Sequence, residues 1–152
     1  MKNFKNIILM GSALFSIPAF GMQNVTPGQN LYHAMVNDDN ATINQLISTP
    51  GIDLNQQEPS SFLFMAISRG NVGLVKKLLD AGANPDLQTR VNGYTPLMYA
   101  VDESYYKNRP ENTEAIIKLL VSKGANPNIR NNVGESAADL ARNTAYRNAL
   151  AQ

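Results

Sequence analysis

The 152-residue sequence predicts an all-α solenoid of about four helix–turn–helix units joined by finger loops. Three observations predict it. First, Leu78-Leu79-Asp80-Ala81-Gly82-Ala83-Asn84-Pro85-Asp86 returns as Leu120-Val121-Ser122-Lys123-Gly124-Ala125-Asn126-Pro127-Asn128, and a looser copy, one residue longer, covers 46–55. Second, a phrase ending in alanine recurs, and its markers Ala34, Ala66, Ala100 and Ala141 stand 32, 34 and 41 residues apart. Third, the apolar residues between these markers fall in helical stripes punctuated by Gly and Pro. A period near 33 residues is the mark of stacked units, none of which buries both of its helices alone.

Residues 1–21 stand outside the repeat and read as a signal peptide. Lys2 and Lys5 precede an apolar run from Ile7 to Phe20, which closes on the small-x-small sequence Ala19-Phe20-Gly21. At 1.5 Å per residue, its 14 residues fall well short of a ~30 Å hydrocarbon core, which argues against a membrane anchor. Pro18 argues against a buried helix. Cleavage between Gly21 and Met22 is expected, with a linker over 22–28, so the mature chain is predicted to be periplasmic or secreted. Loss of Lys2 and Lys5 leaves 11 basic residues against 12 acidic ones. The absence of Cys suits an oxidising compartment.

The repeats are read as 29–57, 58–90, 91–131 and 132–152. Unit one places Leu31-Tyr32-His33-Ala34 on its first helix and Asn37-Asp38-Asp39-Asn40 at an Asx-capped turn. In unit two, Ser61 is expected to cap a helix over 62–69, with Gly70-Asn71 as the turn. Leu74, Val75, Leu78 and Leu79 form the stripe of its second helix, Gly82 ends that helix, and Pro85 blocks its continuation. Unit three repeats the pattern with an insertion over 103–111, after which Pro110 is expected to start the second helix, with Glu111 and Glu114 in its first turn. Unit four, with Ala138, Asp139, Asn143 and Arg147, reads as a polar C-terminal cap, and unit one as its N-terminal counterpart.

The sequence Gly93-Tyr94-Thr95-Pro96-Leu97-Met98-Tyr99-Ala100 and the closing phrases of units two and three resemble the ankyrin repeat family. The resemblance extends over about 29–152. This chain departs from the pattern at the family histidine, replaced by Tyr32, Phe64, Met98 and Asp139, and keeps Thr-Pro at its usual slot only in unit three. Apolar packing between units is expected where the family uses Thr–His hydrogen bonds.

Composition removes most chemistry. Without Cys, and with His33 as the single imidazole, thiol catalysis, Cys-based metal sites and His-built metal sites have nothing to work with. A formal charge of +1 gives no field for nucleic acid. Asp38-Asp39-Asn40 lacks the Gly and the distant Glu of a calcium loop. Asp102, Glu103, Glu111 and Glu114 are read as a solvated edge, and an enzyme built on them is the minor reading. No cofactor is expected. The resemblance implies a non-catalytic monomer that binds another protein through a concave face of fingers and first helices, with no nucleic acid and no membrane insertion. A host-directed effector of an intracellular bacterium is the alternative. Carried onto this chain, the face includes Glu58, Ser60, Ser68 and Arg69 in unit two and Asn92, Tyr94, Asp102 and Glu103 in unit three. Asn132 and Glu135 represent unit four, and Gln57, Val91 and Val133 complete the fingers. Tyr105, Tyr106 and Arg109 of the insertion form a second candidate surface, because Tyr and Arg dominate interfaces; the alternative is that Tyr105 and Tyr106 extend the first helix and pack under their own loop.

Overall fold

The computed structural model describes residues 25–56, 61–102, 104 and 112–151. Its elements among these are all helices, paired into four units: α1 (Pro27–Val36) with α2 (Asn40–Ile47), α3 (Phe62–Ser68) with α4 (Val72–Asp80), α5 (Pro96–Val101) with α6 (Thr113–Ser122), and α7 (Ala137–Leu140) with α8 (Thr144–Leu150).

Local chemistry sets most helix starts. Thr26 and Gln29 form a reciprocal capping box at α1: the Thr26 side chain accepts from the Gln29 N–H (3.2 Å), and the Gln29 side chain accepts from the Thr26 N–H (2.9 Å). Pro27 is the first residue of the helix, so α1 begins within the stretch expected to be a linker, with its own Thr-Pro pair three residues ahead of the slot used in unit three. Asp39 caps α2 by accepting from the Thr42 N–H (3.1 Å), the Asx-capped turn the sequence predicts. Asn71 caps α4 in the same way (2.9 Å). Gly82 follows the α4 C-cap at φ +96°, a conformation that a side chain disfavours.

Three local expectations need correction. Ser61 does precede α3, but its side chain makes no capping bond, and its buried hydroxyl has no partner among the described residues. The second helix of unit three starts at Thr113 with Asn112 as its cap, not at Pro110, which lies outside the described residues; Glu114 does fall in the first turn. Asp102 is 7% exposed, not part of a solvated edge.

The α5 backbone approaches α3 and α7, and the α6 backbone approaches α4 and α8, while α1 and α2 approach chiefly each other. One apolar core runs through all four units. Leu31, Met35, Phe62, Leu63, Val75, Leu78, Leu97, Met98, Ile116, Ile117 and Leu120 are fully enclosed. Each such side chain contributes on the order of 1.5–3 kcal/mol by leaving water. Phe64 and Met98, which stand at the family histidine slot, are buried, so apolar packing does replace hydrogen bonding there. The Met98 sulfur still accepts from the Thr95 N–H (3.5 Å), while the Thr95 hydroxyl accepts from the Met98 N–H (3.2 Å).

A polar ladder aligns the chain entering each finger. The Asn55 N–H donates to the Asp53 carboxylate, Asp86 to the Asn84 side chain and Asn128 to the Asn126 side chain, each at 2.9 Å. Between units, the Asn84 N–H donates to the Asn55 side chain (2.7 Å) and the Asn126 N–H to Asp86 (2.8 Å). These turns explain why Asn and Asp recur after each second helix: their side chains replace backbone partners that a bend leaves unpaired.

Candidate protein-interaction surface

The first helices carry a row of equivalent positions. His33 in α1, Met65 in α3, Tyr99 in α5 and Leu140 in α7 each precede the marker alanine of their unit, and the other side of each helix is buried in the core. His33 is exposed; Met65, Tyr99 and Leu140 are half-buried. Phe64 and Tyr99 meet edge to face across α3 and α5, with ring centroids 5.1 Å apart and an interplanar angle of 64°. Tyr32 and His33 make a similar contact within α1 at 5.7 Å. The row is therefore apolar and aromatic on a rigid base.

Tyr94 lies beside it. Its hydroxyl donates to the Asp102 carboxylate (2.8 Å), so the ring runs along α5 from the finger to the helix end. The other Asp102 oxygen accepts from the Ser104 N–H (2.9 Å) and hydroxyl (2.7 Å). Asp102 thus ties the start of the insertion to the finger and presents no free carboxylate for binding.

Arg69 is also used internally. Its guanidinium donates to the Met35 carbonyl at the end of α1 and lies 3.6 Å from the Asp38 carboxylate. The Ser68 hydroxyl donates to the Met65 carbonyl (2.8 Å). The Asn92 side chain accepts from the Thr89 hydroxyl (2.5 Å) and the Tyr94 N–H (3.3 Å). Asn132 bridges two fingers: its N–H donates to the Asn92 carbonyl (3.0 Å) and its side-chain amide to the Val91 carbonyl (3.2 Å). Glu135 accepts from the Asn131 side chain (3.0 Å). The polar residues expected to meet a partner that lie among the described residues also make hydrogen bonds within the chain. Beside exposed Arg90 and Asn132, the fingertips present two valines to solvent: Val91 is 91% exposed and Val133 77%.

Glu58, Ser60 and Gln57 lie outside the described residues, as do Glu103, Glu111, Tyr105, Tyr106 and Arg109. Sequence reasoning did not single out Met65 and Tyr99 as surface positions and so missed the row. The available signal was their place immediately before the alanine in successive copies.

Among the described residues, no group of three or more His, Cys, Asp or Glu side chains is placed to hold a metal, and no helix is long and apolar enough to cross a membrane. The carboxylates with displaced titration lie elsewhere. Hydrogen bonds from Lys123 and then Lys76 hold the Asp80 carboxyl below the usual range, at 2.5 Å each. Bonds from the Ser136 N–H and hydroxyl do the same for Asp139, and bonds from Thr42 for Asp39. Glu114 pairs with Lys118 at 2.7 Å, one turn along α6.

Stacked helix pairs with polar-laddered fingers and an outward row of ring and thioether side chains define a repeat scaffold of the kind that presents a surface. Residues 31–131 match the sequence pattern of ankyrin repeats in three copies, and the chain belongs to the ankyrin-repeat family. The human 2-5A-dependent ribonuclease is 36% identical over 84 residues, covering 55% of this chain but 10% of that protein. The structure resembles the ankyrin repeat domain of Bcl-3 (TM-score 0.68, 22% identity, 80% of this chain and 50% of that one). It also resembles an ankyrin repeat domain from Acinetobacter baumannii AYE (TM-score 0.64, 28% identity, 81% of this chain and 61% of that one). Ankyrin repeats are a general protein-interaction module, and unit four extends this chain beyond the matched copies.

Proposed function

We infer that this chain is an exported, non-catalytic monomer that binds another protein along the face formed by its first helices and fingers. The observation that supports this most is the row His33, Met65, Tyr99 and Leu140, flanked by Tyr94. Half-buried aromatic and thioether side chains on a pre-ordered base bind without losing much conformational entropy. They suit an extended segment that brings apolar side chains at successive positions, one per unit. Of the four carboxylates on which an enzyme reading rests, Glu103 and Glu111 lie outside the described residues, the Asp102 oxygens face Tyr94 and Ser104, and Glu114 faces Lys118.

A photoreactive residue placed at Tyr99 in the native producing cell should capture the partner, while one at Ala115, exposed on the second-helix side of α6, should not. Capture through Ala115 alone would place the partner on the opposite side. The export reading rests on residues 1–21. Chain recovered from outside the cytosol should begin at Met22, and an intact Met1 terminus confined to the cytosol would refute it.

A further inference from the structure

The two ends of the solenoid are secured differently, in the opposite order to their regularity in sequence. Unit four is the degenerate copy, yet it is held closely. Ala137, Ala141 and Ala149 are at most 4% exposed and let α7 and α8 settle onto α5 and α6. The adjoining fingers are clamped by the two Asn132 bonds and by the Gln88 side chain, which donates to the Arg130 carbonyl (3.0 Å).

Unit one fits the repeat pattern better and, among the described residues, is held less closely. The α2 and α4 backbones scarcely meet, and an open cleft of about 640 Å³ lies between them, with Ile47 and Ile52 on one wall and Lys77 and Ala81 on the other. The two buried side-chain atoms without a hydrogen-bond partner among the described residues, the Gln56 amide nitrogen and the Ser61 hydroxyl, belong to the residues on either side of 57–60, the stretch that links unit one to unit two. Gln56 occupies the slot filled by Leu87 and Ile129 in the next two units. It lies flat against α1 where Gly28 leaves room: a Cβ on Gly28 would fall 2.0 Å from the Gln56 side-chain oxygen. Besides the apolar core that Leu31 and Met35 share with Phe62 and Leu63, the junction is crossed by polar links: Arg69 to the Met35 carbonyl and Asp38, Lys77 to the Asn44 side chain (2.6 Å), and the Asn84 N–H to the Asn55 side chain. Water can replace each of these polar links, and a buried orphan polar atom recovers its water when the structure around it opens.

We propose that unit one is a detachable end, with α1 and α2 opening together from α3 and α4 while units two to four stay folded. Opening of one cooperative segment ahead of the rest is the expected behaviour of a stack whose interfaces differ in strength. If the first-helix row is the docking face, opening removes His33 from it; the opening itself does not depend on that reading.

Native-state hydrogen exchange followed by mass spectrometry on the whole chain tests this without any partner. Peptides spanning α1 and α2 should open at least tenfold more often than those spanning α4 and α6, with α7 and α8 exchanging alongside the centre. Gln56→Met keeps the side-chain length and removes the unpaired amide. It should slow exchange in α1 and α2 about tenfold and leave α8 unchanged. Exchange of α1 and α2 in step with α4 and α6, opening of α7 and α8 first, or faster exchange of α1 and α2 in Gln56→Met would each overturn the proposal.

Discussion

Ser61 and Thr95 occupy the same slot, each one residue ahead of a first helix, and only the structure separates them. Thr95 is 1% exposed and its hydroxyl accepts the Met98 N–H, whereas the Ser61 hydroxyl is buried without a partner among the described residues. Thr95→Ala should therefore cost about 1 kcal/mol, as the loss of a working cap does. Ser61→Ala should stay within about 0.5 kcal/mol of neutral or stabilise slightly, because it removes an unsatisfied group. Urea titrations at constant m-value check both, and a cost at Ser61 equal to that at Thr95 would show that its hydroxyl caps α3 in solution. The apolar slots were simpler to read. Leu78 and Leu120 stand at matching places in the repeat and are both fully buried. Leu78→Ala and Leu120→Ala should each cost about 2–5 kcal/mol, and a loss below about 0.5 kcal/mol at both would mean that the units do not stack in this way. Periodicity marks which leucines turn inward because that choice follows from helix geometry. It cannot tell which of two hydroxyls finds its N–H, because that depends on the path of the finger before it.

The helices themselves were legible wherever sequence carries both a stripe and punctuation. The elements α2, α3, α4 and α5 fall where Asp39, Ser61, Gly70-Asn71 and Thr95-Pro96 place them. The starts of α1 and α6 were missed because Thr26-Pro27 lies outside the repeat register and Pro110 lies three residues ahead of its helix. Between elements, Asp80 joins α4 to the C-terminal cap of α6 through Lys123, while Lys76 contacts it from within α4. Asp39 and Asp139 hold helix starts. All three carboxyls titrate below their ordinary value in the folded chain. The unfolded chain then binds more protons between the depressed folded value and the ordinary value of about 3.9, so stability rises with pH through that window. The contribution is fully present above about pH 4 and is lost as pH falls through the folded values. Melting temperature should drop on acidification below about pH 4, and Asp80→Asn should flatten the drop. These groups are solvent-exposed, so 1 M salt should reduce the contribution of Asp80 more than those of Asp39 and Asp139, which rest on hydrogen bonds to Thr42 and Ser136. An acid limb unchanged in Asp80→Asn would assign the pH dependence to other carboxyls.

At the scale of the whole molecule, repetition made the architecture readable, because a phrase that returns in register forces its copies to stack. The binding face was readable only in outline. Sequence picked polar residues at finger and helix ends as a surface requires, but Asp102 turned inward to Tyr94 and Ser104, and Arg69 closed over the end of α1. These uses are long-range or depend on side-chain reach, so no local pattern announces them. The same geometry yields a divided expectation for binding. Met65→Ala and Tyr99→Ala should each weaken partner binding by about 1–2 kcal/mol, the loss expected when a central interface side chain is truncated. Tyr99→Ala also removes the edge-to-face contact with Phe64, so melting should fall with it, by an amount measured separately on the free chain. Arg69→Ala should behave in the opposite way: its guanidinium faces Met35 and Asp38, so truncation should loosen unit one and leave the affinity of units two to four nearly unchanged. Val91→Ser and Val133→Ser supply the contrast, since both side chains stand on clamped fingertips and touch no core. A partner lying along the first helices loses affinity in the Met65 and Tyr99 variants and tolerates the two valine changes. The reverse outcome, with affinity lost only in the valine variants, would move the contact from the helix row to the fingertips while leaving the fold as described.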